Sequence, residues 1–380
     1  QEEIIQSVLD GKDTLALLPT GGGKSVCFQI PALMKEGICI VVSPLIALMK
    51  DQVMQLKKRD IKAAAIFSGL SYSEIDIILD NCQFGYYKFL YVSPERLKTE
   101  IFIERFKRMN VNLIAVDEAH CVSQWGYDFR PPYLEIAEIK KFHPSVPIIA
   151  LTASATPTVQ NDITDKLQLK KATIFKKSFL RNNLSFVVRR EEAKYPKLLD
   201  IIQKLKGSGM VYVRNRNKTK DVAEYLTKNK INADFYHAGL STQERNAKQE
   251  NWINNKTQVI VCTNAFGMGI DKPNVRFVVH LDIPESLEAY YQEAGRAGRD
   301  GKLSYTVMLF TQSDIDYLWE KNIAKFPPMD VVKNIYNAVC NHLGIAVGSG
   351  KMLTYDFDMS DFCTLFKLDA TTVYNCLKIL

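Results

Sequence analysis

The chain has 380 residues, which at roughly 150 residues per domain predicts about two and a half domains and excludes a single small binding module. Hydrophobic residues at 47% and charged residues at 24% match ordinary globular composition, excluding disordered, collagen-like and disulfide-scaffold classes. A formal net charge of +7 is a mild basic excess that suits a polyanionic partner without specifying one.

The eight cysteines, several set in apolar runs such as "GICIVVSP", include no CxxC pair, which fits buried thiols in a reducing, cytosolic compartment. No apolar run approaches the ~18 residues of a membrane span, and no charged-then-apolar leader opens the chain, so no membrane association is expected. Opening on Gln1 and closing within a helical pattern, "VYNCLKIL", the sequence reads as truncated at both ends.

From Ile4 to about Leu167, short β-rich runs ("TLALLP", "ICIVVSP", "KFLYVSP", "NLIAVDE", "PIIALTAS") alternate with stretches of helical periodicity. That rhythm predicts a parallel sheet covered by helices. A second series ("GMVYVRN", "ADFYHAG", "QVIVCTN", "RFVVHLD", "YTVMLF") follows a basic connection near residues 178–183. Two α/β domains in tandem are expected, over residues 1–180 and 181–312. From residue 313 to 380 the strand pattern is lost, and the helical segments "MDVVKNIYNAVCNHLG" and "DATTVYNCLKIL" predict a partial helical domain.

Chemistry first gathers after the strand "TLALLP", where Pro19, Thr20, Gly21, Gly22 and Gly23 lead into Lys24, Ser25 and a helix. Backbone N–H groups of such a loop, with the helix dipole, hold phosphates; Lys24 then reaches the β and γ phosphates and Ser25 a magnesium ion. Leu18 stands where the strict GxxxxGK[ST] pattern has glycine, and a flexible strand-to-helix turn is the plain alternative.

The strand "NLIAV" delivers Asp117, Glu118, Ala119 and His120 to its C-terminal end, where open α/β sheets bind ligands. Asp117 is placed to hold magnesium and Glu118 to orient or deprotonate an attacking water, since two acids buried there without a cation pay a desolvation cost. An acidic loop is the alternative. Next, "CVSQWGYDFRPPY" interleaves Gln124, Trp125, Tyr127, Phe129, Arg130 and Tyr133. Aromatics that stack on bases beside an arginine for phosphate suit a nucleic-acid sensor, and core packing is the competing reading. In the second series, Gly267 and Gly269 form a tight loop after "QVIVC", and "YYQEAGRAGRDG" offers Gln292, Arg296 and Arg299. Arginines three apart share one helical face and suit charge neutralisation on a transferring γ-phosphate; a solvated basic turn is the ordinary alternative. ATP gripped by both domains and released on hydrolysis makes a motor by domain closure.

The ordered set "TGGGKS", "VVSPLIALMKDQV", "YVSPERL", "DEAH" with "CVSQWGYDFRPPY", "ALTASAT", "YHAGLS", "AFGMGIDKPNVRFVVHLDIP" and "YYQEAGRAGRDG" resembles that of the RecQ-family DNA helicases of superfamily 2, from Gln1 to about Gly301. The resemblance implies two RecA-like domains, ATP and Mg2+ as cofactors, and 3′-to-5′ translocation on single-stranded and partly duplex DNA in repair and recombination. It makes Gln1 the adenine reader, Lys24 and Ser25 the Walker A pair, and Asp117 and Glu118 the metal-holding and water-activating acids. Thr152, Ser154 and Thr156 fall in its coupling motif, Asp271 in its ribose-side motif, and Arg296 and Arg299 complete the γ-phosphate pocket. Ser43, Pro44, Ser93 to Arg96, Arg214, Asn215 and Tyr236 to Gly239, including His237, line the DNA strand, with Gln124, Trp125, Phe129 and Arg130 as the DNA sensor. An RNA helicase, a translocase that does not unwind, and a scaffold with a vestigial ATPase are the rival readings; intact Lys24, Glu118 and Arg299 speak against the last. The family's zinc module needs four cysteines with a close pair, whereas this region holds Cys340, Cys363 and Cys376 with His342 nearby, so no structural zinc is expected. A monomer is expected, in the bacterial nucleoid or a eukaryotic nucleus, with repair partners engaged through sequence beyond this chain.

Overall fold

A computed structural model describes residues 1–19, 21–124, 129–153, 155–178, 180–266, 272–346, 349 and 354–380. Its strands in chain order are β1 (Thr14–Leu17), β2 (Ile38–Val42), β3 (Ala63–Ile66), β4 (Phe89–Val92), β5 (Val111–Val116), β6 (Ile148–Thr152) and β7 (Thr173–Lys176), then β8 (Leu184–Arg190), β9 (Ser208–Tyr212), β10 (Ala233–Tyr236), β11 (Val259–Cys262), β12 (Val275–His280) and β13 (Ser304–Phe310). They build two sheets, ordered β3-β4-β2-β5-β6-β1-β7 and β10-β11-β9-β12-β13-β8.

Every pair in the first sheet is parallel, as are the pairs from β10 through β11, β9 and β12 to β13. Parallel strands need crossover helices on both faces, so central strands are buried on both sides. The alternation of side chains along each strand then divides the first core in two. Leu15, Leu17, Ile38, Ile40 and Val42 pack on one face, while Ala16, Leu18, Cys39 and Val41 pack on the other. Cys27, Cys39, Cys82, Cys121 and Cys262 are buried thiols outside any disulfide, and burial pushes the Cys82 thiol up to about 12.

Three strands escape the sequence pattern. In β3, "AAAI", alanines supply little β preference; β7 and β8 are edge strands, β7 exposed at alternate residues and β8 exposed along most of its length. Register with a neighbour, rather than an apolar run, makes them strands.

The chain divides into a larger compact unit, residues 1–189 and 193–308, and a smaller one, residues 190–192 and 309–380. The smaller unit is helical apart from its strand ends, with helices Gln312–Lys325, Met329–His342, Met359–Phe366 and Ala370–Ile379. Its core joins Val332, Ile335, Phe362, Val373 and Cys376. The His342 ring stands edge-on to Phe357, Phe362 and Phe366, so it serves the packing of this unit. No helix among the described residues is long and apolar enough to cross a membrane.

Candidate functional site

The three adjacent strands β1, β6 and β5 end on one edge of the first sheet, bringing together the loop Pro19–Ser25, the segment Thr152–Thr156 and the acids Asp117 and Glu118. Gly23 caps the helix Lys24–Met34 in the left-handed region at φ 74°, so the first free N–H groups of that helix face the loop. A Cβ on Gly22 would stand 2.8 Å from the Pro19 carbonyl oxygen, a backbone contact that cannot be relieved by a rotamer. The Gln1 amide donates to the Gly22 carbonyl at 2.8 Å, which ties the residue expected to read adenine to the phosphate loop itself. Thr20 lies outside the described residues.

Glu118 takes a left-handed backbone (φ 48°) at the end of β5, a strained conformation for a residue with a Cβ and one that concentrates at functional sites. Its carboxylate stands 3.8 Å from Lys24 Nζ and 3.4 Å from His120 Nδ1. Burial, then the neighbouring Glu118, push the Asp117 carboxyl up to about 6 against the pull of Lys24. Burial would raise Glu118 as well, but Lys24, His120 and Arg296 outweigh it and hold its carboxyl below the ordinary range. Of the two acids, Glu118 is therefore the more readily ionised. The charge that raises Asp117 is what a divalent cation with oxygen ligands relieves, and Ser25 with Asp117 supplies hard oxygen ligands of that kind, so the residues fit magnesium.

A buried relay leaves this pair. His120 Nδ1 lies 2.9 Å from Thr152 Oγ1, joining the acids to the segment expected to couple the two sites. Thr156 also caps the helix Pro157–Lys166, accepting from the Val159 N–H, and Ser154 lies outside the described residues. Replacing Thr152 with Val removes one buried hydrogen bond at constant shape, about 1–1.5 kcal/mol or roughly tenfold in rate. We expect nucleic-acid-stimulated hydrolysis to fall by that factor while the unstimulated rate changes less, as read in a coupled ATPase assay.

The second sheet contributes its arginines from a turn, not from the helical face the spacing suggested. The helix Leu287–Ala294 ends before them, because Gly298 turns left-handed at φ 61° and its N–H bonds the Val275 carbonyl of β12. The turn carries both arginines to the first sheet. Arg296, buried, lowers the Glu118 carboxyl and hydrogen-bonds the Tyr212 hydroxyl; Arg299 lies so near the loop that a Cβ on Gly21 would stand 3.4 Å from its Cγ. Gln292 lines a neighbouring cavity of about 350 Å³ with Pro19, Thr156, Arg181 and Phe186.

The residues expected on nucleic acid fall in two groups. Ser43 and Pro44 follow β2, and Ser93 to Arg96 follow β4. Arg130 donates to the Pro44 carbonyl at 3.2 Å, and Arg96 to that of Phe67 at 3.4 Å. Ser43 and Ser93 are buried, and the Ser43 hydroxyl has no hydrogen-bond partner among the described residues. Gln124 is exposed and Phe129 half-buried; Trp125, Tyr127, Gly267, Gly269 and Asp271 lie outside the described residues. Tyr133 is a correction to the aromatic series. It is fully buried and its hydroxyl donates to the Asp117 carbonyl at 2.9 Å, so it braces the acid from the core. The second group follows β9 and β10, where Arg214 and Asn215 line a cleft of about 830 Å³ with Arg216, Lys218 and Thr263. Asn215 also caps the helix Arg216–Lys228, accepting from the Lys218 N–H at 2.8 Å. His237 and Gly239 adjoin Arg216; burial, then Arg216 and Lys248, lower the His237 pKa.

Residues 1–163 match the family model described as DEAD/DEAH box helicase, and residues 193–301 the helicase conserved C-terminal domain. The ATP-dependent DNA helicase RecQ of Bacillus subtilis is 46% identical over 318 residues, 83% of this chain and 54% of the relative. The probable ATP-dependent DNA helicase RecS of the same organism is 43% identical over 321 residues, 83% of this chain and 64% of the relative. This chain belongs to the RecQ family. Its fold is that of two RecA-like domains, shared with the Mycobacterium smegmatis helicase Lhr at a TM-score of 0.66 and 17% identity, over 99% of this chain and 52% of that one. The RecQ-family chain thus spans about half to two thirds of the length of the proteins it matches.

Two features of this RecQ-family site were not legible in the sequence: the hydroxyl of Tyr133 on the Asp117 backbone, and Arg181 on the turn carrying Arg296 and Arg299. Neither belongs to a spacing pattern, because each acts through main-chain carbonyls that any residue provides.

Proposed function

We propose that this chain is an ATP- and magnesium-dependent DNA motor of RecQ type that moves 3′-to-5′ along single-stranded DNA and separates partly duplex substrates in repair and recombination. The observation that carries the reading is the approach of Arg296 and Arg299, from the second sheet, to Glu118 and Gly21 of the first. A phosphate loop alone describes many nucleotide binders. A loop whose transferring phosphate is met by arginines from a second RecA-like domain describes a motor, because loss of that phosphate removes the charge that holds the two together.

Within this reading, backbone N–H groups of residues 21–25 and Lys24 hold the phosphates. Glu118, kept ionised, orients and deprotonates the attacking water. Asp117 and Ser25 would hold magnesium, which would supply charge neutralisation to the phosphates. Arg299 and Arg296 stabilise the charge developing on the transferred group. The relay through His120 and Thr152 connects the acids with the strand ends that carry the nucleic-acid candidates. Arg214, Arg216 and Lys218 give the 830 Å³ cleft the positive charge suited to a phosphate backbone. The motor acts as a monomer, at the nucleoid or in a nucleus.

The test is the hydrolysis rate of ATP with magnesium, alone and with single-stranded DNA or RNA of matched length. Strong stimulation by DNA and little by RNA is expected, followed by displacement of a strand ahead of a 3′ tail. Stimulation by RNA in preference to DNA moves the assignment to an RNA motor, equal stimulation removes the DNA-sensor role from the aromatic loop, and no stimulation by either overturns the reading.

A further inference from the structure

The two arginines that meet the nucleotide loop sit beyond a helix end, on a turn, which by itself is a poor place to hold a charge to the accuracy that phosphoryl transfer demands. The last carbonyls of the helix Leu287–Ala294 and of the turn after it lack intrahelical partners. One side chain collects three of them. Arg181 Nη1 donates to the Gly295 carbonyl at 3.3 Å, and Nη2 to those of Ala297 and Gly298 at 3.0 and 2.6 Å. Arg181 Nε in turn donates to Asn183 Oδ1 at 3.3 Å, and Asn183 Nδ2 donates to the carbonyls of Gly298 and Lys302 at 2.7 and 3.0 Å.

The place of this fork in the chain is informative. Arg181 and Asn183 lie in the segment between β7, the last strand of the first sheet, and β8, an edge strand of the second. That segment is the covalent joint between the two RecA-like domains, and Arg181 lines the 350 Å³ cavity with Pro19 and Thr156 from one side and Gln292 and Gly295 from the other. A planar guanidinium spans carbonyls three positions apart in a fixed geometry, which an ammonium on a flexible stem does not reproduce.

We propose that Arg181, supported by Asn183, is a positioning residue for the arginine turn: it couples the interdomain joint to the placement of Arg296 and Arg299 against the phosphate loop. The inference rests on the motor reading above. When the joint shifts, the fork shifts with it, and the arginines leave or meet the nucleotide in step with the joint.

The test uses the whole chain with Arg181→Ala, Arg181→Lys, Arg299→Ala and the double variant Arg181→Ala/Arg299→Ala. Since a misplacement of about 1 Å costs on the order of 10²-fold, Arg181→Ala is expected to lower DNA-stimulated kcat by about that factor, with KM for ATP within about twofold. Binding of ADP with aluminium fluoride weakens in parallel while binding of a non-hydrolysable ATP analogue holds. Arg181→Lys, which keeps charge and volume, recovers only a minor part of the rate and carries the test if the alanine variant fails to fold. In single-turnover hydrolysis the double variant loses less than the product of the two single losses, because Arg181 acts only through Arg299 and its neighbour Arg296 and the Arg299 share of its effect is already gone. Losses that multiply in the double variant, full recovery by Lys, or a lowered melting temperature with kcat retained overturn the inference. If Arg299→Ala and Lys24→Ala inactivate the enzyme while the Arg181 variants do not, this inference alone falls. If Arg299→Ala and Lys24→Ala are themselves active, the motor reading falls and takes the inference with it.

Discussion

Replacing Lys24 with Ala is expected to lower ATP turnover by about 10²–10³-fold, the scale of losing one preorganised charge contact to the reacting group. Lys24 does two things at once. It stands at the head of the helix beside the phosphate loop, and its ammonium lies 3.8 Å from Glu118, where it helps hold that carboxyl below the ordinary range and restrains the rise of Asp117. Without it, both acids lose a counter-charge and rise. Since the working form of Glu118 is the ionised one, the acid limb of any residual pH–rate profile moves to higher pH in the variant. Steady-state kcat between pH 5 and 9 reads both effects; a variant with undiminished turnover and an unmoved acid limb removes Lys24 from the site. Glu118→Gln keeps shape and hydrogen bonds but removes the base, and is expected to retain ATP binding while losing turnover on a similar scale.

Replacing Arg299 with Ala should cost more, about 10³–10⁵-fold in kcat if it meets the γ-phosphate as arginine fingers do. The side chain runs along Gly21, near enough that a Cβ there would stand 3.4 Å from its Cγ, so its guanidinium is carried over the loop from the other domain. Lysine is a poor substitute for a planar fork against phosphate oxygens, and Arg299→Lys is expected to recover little. Single-turnover rates beside nucleotide-binding affinities check the assignment: near-normal binding with lost chemistry supports it, and a loss of only a few-fold in kcat places the charge elsewhere. Arg296 separates from Arg299 by mechanism. It acts on Glu118 through its field and is held by Tyr212, so its removal also raises the Glu118 pKa.

Much of this was readable along the chain because parallel α/β architecture writes itself locally. Buried central strands such as "ICIVV" and "NLIAV" are continuous apolar runs, and ligand-bearing segments follow their C-terminal ends. The whole ordered set of motifs, with the aromatic segment "CVSQWGYDFRPPY" after "DEAH", selected the family. Less was readable where a residue's task is set by what lies across from it. "AAAI" carries no strand signal, and β8 exposes most of its side chains, yet both are strands because a neighbouring strand offers a ladder. Tyr133 looked like part of an aromatic series and proved to be a brace under Asp117. Asn215 and Thr156, singled out for nucleic acid and coupling, also terminate helices with their side chains, a use that a motif does not reveal.

By itself, the sequence determined the two α/β domains, the glycine-rich loop entering a helix, the acidic strand end and the family, since each rests on residues close together in the chain whose spacing follows strand and helix periodicity. Only the tertiary structure decided that Arg299 reaches Gly21, that Arg296 shares a field with Glu118, that Thr152 holds His120 and that Arg181 collects the carbonyls of the arginine turn. Those contacts join positions far apart in sequence, and they are set by how packed layers bring strand ends and turns together, which no local periodicity records.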